Sequence, residues 1–377
     1  MRKVQLSLII VLLLVLTACH HTSVLERQSI MVALAYEAKE NKTFQVTGTF
    51  IEAQSGQKEM SRSVSVEADT SKGARLKMNQ MLPYEVASGQ TRVILLNRGI
   101  FQYKMLHEID VLSRDPFFGD MIKIAIVDGS PGDLLTHPYK NYSNIGTSLN
   151  DLLDHNTSVN WVPNMTLHDF THSTGTNRLD MAIPVIKREE EEITLSSIAL
   201  IHRNQIVGEA TPNEGFFLKT LKGSNTPYLY ELKIKKEDTK ASGMDQFLED
   251  GANEIKVVFN VTRNKGKIKL VDRKNIKFTA HIDIDVDIQE VSEQYRFNEK
   301  GAIEALENQL NIELTNQLQE FLDKLRRLKS DCVGFGEVYR SKVGNSAQVE
   351  ERWHDEFPES TIKGKVTIQV IRTGIIE

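Results

Sequence analysis

Cysteine is nearly absent from this chain, since only Cys19 and Cys332 occur in 377 residues. So few thiols exclude a disulfide framework, and the fold must be held by its hydrophobic core. Long apolar runs are also lacking, because nothing beyond the N-terminal leader approaches the run of about 18 apolar residues that marks a membrane span. We therefore expect a body that does not cross a membrane.

An excess of basic charge is lacking too. The formal net charge is −5. Removal of residues 1–18 takes away Arg2 and Lys3 and no acid, which changes it from −5 to −7. A mildly acidic protein is not drawn to nucleic acid or to anionic lipid. Its 40% apolar and 26% charged residues are typical of a globular protein rather than a disordered one.

The patterns of common catalytic sites are missing, because the chain has no GxSxG elbow, no P-loop and no HExxH pattern. Gly334 and Gly336 resemble the start of a phosphate-covering loop, but Tyr339 replaces the third glycine, and we interpret the segment as a helix C-cap and turn. His168 and His172 have the spacing of helical metal ligands, but the Ser, Thr and Gly around them favour a surface loop. We predict no enzyme activity, no catalytic residue and no metal site.

Three aspartates alternate with apolar residues in the stretch HIDIDVDI. Asp283, Asp285 and Asp287 would lie about 7 Å apart on one face of a strand. Calcium needs six to eight converging oxygens, which a flat row of side chains does not supply. The pattern therefore predicts a strand with an apolar inner face, formed by Ile282, Ile284, Val286 and Ile288.

What the chain does have is a distinctive N-terminus. Two basic residues precede an apolar run over residues 4–16, which is too short to span a bilayer but suits a secretory signal peptide. Thr17 and Ala18 then lead directly into Cys19. This arrangement resembles the lipobox of bacterial lipoproteins, and a plain signal peptide with a chance cysteine is the alternative. With Cys19 lipidated, Cys332 would be a lone thiol, expected to be a small buried residue.

The apolar patterns predict an α+β (mixed α/β) fold with several domains and mixed sheets. In the N-terminal half, strands over residues 91–96 and 122–127 flank a helix over 101–112, which indicates a parallel βαβ unit. Residues 136–177 are expected to form helical turns and loops. Further strands are predicted over residues 29–35, 43–50 and 61–66.

In the C-terminal half we expect a long helix packed on a largely antiparallel sheet. The helix is predicted over residues 298–329 from apolar residues every three or four positions. A hairpin over 193–207 and a short helix after it precede a candidate linker over 225–250. Strands are predicted over residues 254–261, 267–270, 275–288 and 361–371.

Several stretches together resemble the C subunits of nutrient germinant receptors in endospore-forming bacteria, the Ger(x)C lipoproteins. The resemblance spans nearly the whole mature chain, although His20 and His21 stand where members often have Trp and Asp. Besides the lipobox, it rests on residues 92–133 with RVILLNRGIF and IKIAIVDGSPGDLL, on 198–221, and on CVGFGEVY, WHDEFP and TIKGKVTIQVIRTG.

The resemblance implies a three-domain mixed α/β lipoprotein on the outer face of the spore inner membrane. It would assemble there with two integral-membrane subunits into a receptor for nutrients, without binding the nutrient itself. The Cys19 thiol would carry diacylglycerol, and its amino group a further acyl chain; no other cofactor is implied. We divide the chain into a signal peptide (1–18), an N-terminal region that could hold two subdomains (19–200) and a C-terminal α+β domain (201–377).

A solute-binding lipoprotein, which captures a ligand in an interdomain cleft, is the alternative function. Such a protein would have two similar βαβ lobes. The predicted long helix beside antiparallel strands fits that architecture poorly. Ligand binding by the isolated domain distinguishes the two functions.

Overall fold

The computed structural model describes residues 28–52, 60–159, 161–176, 179–249, 253–344 and 347–374. The leader and Cys19 lie outside these residues. The strands are β1 Gln28–Ala38, β2 Phe44–Glu52, β3 Met60–Ala68, β4 Glu85–Ala87, β5 Val93–Leu96, β6 Lys123–Val127, β7 Ala182–Glu189, β8 Glu192–His202, β9 Gln205–Ala210, β10 Tyr228–Lys235, β11 Glu254–Asp272, β12 Lys277–Val291 and β13 Thr361–Thr373.

The helices lie between these strands and on their faces. The α-helices are α1 Ser71–Met81, α2 Gly99–Gln102, α3 His107–Asp110, α4 Pro131–Thr136, α5 Ile145–Ser158, α6 Leu167–Thr176, α7 Pro212–Leu221, α8 Ala302–Arg327, α9 Phe335–Val343 and α10 Ala347–Glu359. Short 3-10 turns cover Val111–Arg114, Lys236–Ala241 and Met244–Phe247.

The first sheet is mixed and has the strand order β3-β2-β1-β5-β6-β7-β8-β9, with β4 also paired to β1. Strands β1, β5, β6 and β7 run parallel, and β2, β3, β8 and β9 form antiparallel pairs at the two sides. The mixed α/β fold class predicted from the sequence is therefore confirmed. Strand β8 crosses residue 200, and β9 completes this sheet, so the proposed division after residue 200 falls within a strand and remains a prediction.

The parallel β5–β6 pair confirms the predicted βαβ unit. Its crossover differs from the single helix predicted over 101–112, because it consists of α2, α3 and a 3-10 turn. Lys104 lies between α2 and α3 with a φ of 58°, a left-handed conformation that interrupts the helix. The apolar residues in this crossover are nevertheless buried, as their spacing predicted; they include Phe101, Met105, Ile109 and Leu112.

The second sheet has the order β10-β11-β12-β13, antiparallel except for the last pair. Its β11 is one strand of 19 residues, where two separate strands were predicted. The predicted linker over 225–250 is wrong, because β10 occupies residues 228–235 as an edge strand with alternate residues buried. In β12 the apolar face predicted from HIDIDVDI is confirmed: Ile282, Ile284, Val286 and Ile288 are all buried.

Helix α8 packs along the edge strand β13 and hides its free backbone groups. Polar side chains four residues apart on the helix accept hydrogen bonds from alternate N–H groups of the strand. The pairs are Gln319 with Gly364, Thr315 with Val366, Asn311 with Ile368 and Glu307 with Val370, at 2.7–3.0 Å. Because an exposed sheet edge invites pairing with other chains, this contact blocks the edge.

The apolar stripe of α8 faces the second sheet. Leu306, Leu310, Leu314, Leu318, Leu322 and Leu325 are fully buried, as their spacing predicted. Ile303, which follows the same apolar spacing, is 42% exposed. One core cluster joins this sheet and α8 to side chains of β8 and α7, so the two sheets share buried contacts. Across the described residues, none of the helices has both the length and the apolar character needed to cross a bilayer.

Candidate functional site at the junction of the two sheets

The buried carboxylate of Asp331 organises the loop that follows α8. Its Oδ1 accepts hydrogen bonds from the backbone N–H groups of Gly334 and Phe335, at 2.9 and 2.8 Å. Its Oδ2 accepts from the N–H of Gly336 at 2.6 Å and from Trp353 Nε1 at 2.8 Å. Four donors therefore converge on one side chain, and they join the loop, α9 and α10.

The sequence builds this arrangement with two glycines. Gly334 has a φ of +101°, in the region that favours glycine, and it is the N-cap of α9. A Cβ on Gly336 would lie 2.5 Å from Trp353 Nε1, so no larger residue fits there. The interpretation of these glycines as a helix C-cap is wrong: they begin a helix, and its N-terminal N–H groups bind a carboxylate.

Burial raises the pKa of Asp331 to about 6, although the N–H groups of Gly336 and Phe335 and the Trp353 indole lower it. At neutral pH the group is therefore ionised, with its charge held by N–H donors. The indole of Trp353 is buried, and it stacks on Tyr339 with ring centroids 5.1 Å apart. This loop is thus a fixed part of the fold.

The same loop is bonded to the first sheet. The N–H of Asp331 donates to Asp180 Oδ2 at 2.9 Å, across 151 residues of sequence. The hydroxyl of Ser330 donates to the backbone oxygen of Ile201, in β8, at 2.7 Å. Asp180 lies two residues before the start of β7, so the two bonds fix the loop next to neighbouring strands.

Two histidines meet at Asp180. His202, at the end of β8, has its Nδ1 3.3 Å from Asp180 Oδ2. Its ring contacts His354 of α10, with centroids 5.3 Å apart. Donor atoms of all three residues lie within 4.8 Å of one another. A cavity of about 190 Å³ borders Asp180 on another side and is also lined by His172 and Lys222.

Sequence reasoning missed this cluster and misplaced another histidine pair. His168 and His172 lie on α6, not in the surface loop that was predicted, and their rings stack with centroids 6.4 Å apart. Thr166 and Asp169 explain why a helix forms here. The side chain of each accepts a hydrogen bond from the backbone N–H of the other at 3.1–3.2 Å, which caps the first turn of α6.

Cys332 is a buried free thiol, as expected from the sequence. Burial raises its pKa to about 12, and the nearby carboxylates add to this rise while the Lys222 ammonium opposes it. A thiol with such a pKa is protonated at neutral pH and is not a nucleophile.

Exposed apolar side chains gather at one edge of the first sheet. The N-terminal ends of the parallel strands β1, β4, β5 and β6 lie side by side, and we call this end of the sheet its N-terminal edge. Tyr84 directly precedes β4, and Phe117 and Met121 lie in the loop before β6; the last two are 62% and 73% exposed. Arg75 lies over the Phe117 ring at 5.6 Å. The first described residue, Gln28, begins β1 at this same edge.

Two family models account for almost the whole chain. Residues 21–188 match the "Spore germination protein N-terminal domain" and residues 196–374 match "Spore germination B3/ GerAC like, C-terminal". The chain belongs to the Ger(x)C family of spore germination proteins. The resemblance inferred from the sequence is thereby confirmed. In this Ger(x)C protein, Asp180 lies within the first matched region, and Asp331 and His354 lie within the second.

Relatives support the assignment along the full length. The Ger(x)C chain is 20% identical over 371 residues to the spore germination protein GerQC of Bacillus cereus, a match that covers 98% of this chain and 99% of GerQC. It is 28% identical over 112 residues to the spore germination protein KC of Bacillus subtilis (strain 168), covering 28% of each. The crystal structure of the GerBC protein matches with a TM-score of 0.57 and 19% identity, covering 90% of this chain and 96% of that one, which shows a shared fold.

Proposed function

We propose that this Ger(x)C protein is a lipid-anchored, non-catalytic subunit of a spore nutrient germinant receptor, on the outer face of the spore inner membrane. There it would assemble with two integral-membrane subunits. The observation that carries the proposal is the match of both family domains, in order, to residues 21–188 and 196–374. The germination role comes from the family, and the anchor and the partners are the proposed parts.

The position of β1 supports the anchor. Cys19 precedes Gln28 by nine residues, which reach at most about 30 Å when extended. A lipid on Cys19 would therefore hold the N-terminal edge of the first sheet close to the bilayer. That edge carries the exposed side chains of Tyr84, Phe117 and Met121. Two acyl chains on one cysteine anchor a protein durably, because each buried methylene contributes about 0.8 kcal/mol.

The state of the buried ionisable groups supports a non-catalytic role. The Cys332 thiol has a pKa raised to about 12, and four N–H donors occupy the Asp331 carboxylate. Each group is committed to the fold at the junction of the sheets. The protein would thus contribute interfaces, and the tether would raise its effective concentration for partners in the same membrane.

Purification from spore membranes tests the assembly. The chain, tagged at its C-terminus, is extracted in mild detergent, and the proteins that accompany it are identified by mass spectrometry. We expect two multi-spanning membrane proteins in fixed ratio to it. A Cys19→Ala chain, expressed in parallel, should recover much less of both. The proposal is contradicted if the wild-type chain is recovered alone while other receptors in the same extract are recovered as intact complexes.

Calorimetric titration of the purified protein with nutrients addresses the alternative function. A subunit that contributes only interfaces should show no heat of binding with amino acids, sugars or nucleosides. Micromolar binding of one nutrient by the isolated chain would favour a solute-binding lipoprotein.

A further inference from the structure

We propose that Asp180, His202 and His354 form a binding site for a divalent transition-metal ion, with zinc as the best-fitting metal. The site lies where α10 meets the first sheet. It is independent of the proposed receptor role.

The donor set has the composition of a zinc site. Two imidazole nitrogens and one carboxylate oxygen are ligands that zinc takes at about 2.0–2.2 Å, often with a water in the fourth position. Two ligands around a tetrahedral ion at these lengths lie about 3.3–3.5 Å apart. The observed separation of His202 Nδ1 and Asp180 Oδ2 is 3.3 Å. A donor atom of His354 lies within 4.8 Å of a donor atom of each of the other two residues, so it needs to approach by at most about 1.4 Å.

The carboxylate is already oriented by outer hydrogen bonds. Asp180 Oδ2 accepts from the Asp331 N–H at 2.9 Å, and Oδ1 accepts from the Arg203 N–H at 3.4 Å. Metal-binding carboxylates and histidines are typically held in this way by partners that are not ligands themselves. Asp180 is 6% exposed, and His202 is 13% exposed, so two of the ligands are fixed within the fold.

The local charge favours a cation. Asp180 and Asp331 are both buried, and they are in direct contact through the hydrogen bond from the Asp331 N–H to Asp180 Oδ2. A divalent ion would offset these two neighbouring carboxylates.

A metal ion at this site would link the first sheet to α10. Asp180 lies just before β7 and His202 ends β8, both in the first sheet's part of the fold, whereas His354 belongs to α10, which packs in the core of the second sheet. A zinc ion would add a bond between them that depends on metal supply. Because binding to the folded state alone stabilises it, the protein should become more stable as zinc is added.

Zinc titration of the whole protein tests the site. The lipoprotein is purified in detergent without a polyhistidine tag, stripped with EDTA, and titrated with Zn²⁺ by calorimetry; Co²⁺ is used in parallel for its visible absorption. We expect one high-affinity Zn²⁺ per chain, a tetrahedral Co²⁺ spectrum and a higher unfolding temperature with Zn²⁺. His354→Ala and His202→Ala should each weaken binding by about 100-fold or more, since loss of an outer partner alone costs 10–100-fold.

The paired variant His168→Ala/His172→Ala is the matched control, because it removes two neighbouring histidines of α6 and leaves the proposed site intact. It should bind zinc like the wild type. His354 is only half-buried, so circular dichroism of the metal-free His354→Ala protein should show an unchanged fold. Absence of stoichiometric zinc binding by the wild type, or unchanged binding by both single variants, overturns the proposal.

Discussion

Trp353 Nε1 donates a hydrogen bond to Asp331 Oδ2 at 2.8 Å, which joins α10 to the loop after α8. The two oxygens of the same carboxylate also accept hydrogen bonds from three backbone N–H groups at the start of α9. One carboxylate therefore sets the positions of two helices. The backbone N–H of Asp331 donates to Asp180 Oδ2, which ties the same loop to the first sheet.

Replacement of Asp331 by Asn should weaken the protein strongly. The amide keeps one acceptor oxygen and turns an NH₂ group toward N–H donors, which leaves buried donors without partners. We expect a loss of about 2–4 kcal/mol in the free energy of unfolding, measured by urea denaturation at pH 7.5. Asp69→Asn, at an exposed position between β3 and α1, serves as the control. A loss below about 0.5 kcal/mol would show that the carboxylate is not the organising group.

Gly336→Ala should destabilise the fold by overpacking. The new Cβ would lie 2.5 Å from Trp353 Nε1, so the indole must move and its bond to Asp331 must lengthen. We expect a loss of about 1–3 kcal/mol and a change in tryptophan fluorescence. Gly119→Ala is the matched control, since nothing lies within 4 Å of its added Cβ. Equal stabilities of the two variants would contradict the close contact.

Asn311→Leu should expose the edge that α8 covers. The backbone N–H of Ile368 loses the acceptor that lies 2.7 Å away, at a cost of about 1 kcal/mol. The exposed neighbour Asn316 provides the control variant Asn316→Leu. Thermal unfolding and light scattering measure the two effects. If both variants unfold alike and neither aggregates, the side-chain ladder does not protect β13.

Lys219→Met should change how stability depends on pH. Burial lowers the pKa of Lys219 to about 8, and its ammonium donates to the backbone oxygen of Thr157. Between about pH 8 and 10.5 the unfolded chain binds more protons at this residue than the folded chain does. The free energy of unfolding of the wild type therefore increases as the pH rises. From pH 7.5 to 9.5 we expect the wild type to gain about 1–2 kcal/mol relative to the variant, in urea denaturation. If the free energies of unfolding of the two proteins change with pH in the same way, the prediction is wrong. The variant Lys265→Met, at an exposed position, is the control for the loss of an ammonium group.

The exposed apolar side chains at the N-terminal edge of the first sheet predict which part of the protein contacts the bilayer. In proteoliposomes, hydrogen–deuterium exchange of residues 82–92 and 115–122 should be slower than in the unlipidated protein, while the turn at 273–276 should be unchanged. A double variant, Phe117→Glu/Met121→Glu, should lose this protection, and Leu229→Glu, at an equally exposed site on β10, should keep it. Protection confined to the second sheet would place the membrane elsewhere.

The sequence allowed much of the fold to be predicted, because strand and helix periodicity is local. The alternation in β12 and the leucine spacing in α8 each report which face is buried, and both predictions hold. Local patterns failed at Lys104, where a single left-handed backbone angle interrupts the predicted helix. They also failed at His168 and His172, because the cap formed by Thr166 outweighs the low helix propensity of the residues that follow.

The junction could not be predicted from sequence, because its members are far apart in the chain. Asp180 and Asp331 are separated by 151 residues, and no periodicity links them. One local signal was available: an acidic residue three positions before Gly334 can bind the N–H groups of a helix that begins there. That signal points to a helix start, and it would have reversed the interpretation of the glycines.

Membrane fractionation of the Cys19→Ala protein tests the central claim most directly. Spores that express this variant, the wild type or the Cys332→Ala control are broken, and the chain is quantified in membrane and soluble fractions. We expect the wild type and the control in the membrane fraction, Cys19→Ala mainly in the soluble fraction, and a slower nutrient response from its spores. Undiminished membrane association of Cys19→Ala would contradict the lipid anchor on which the proposed function depends.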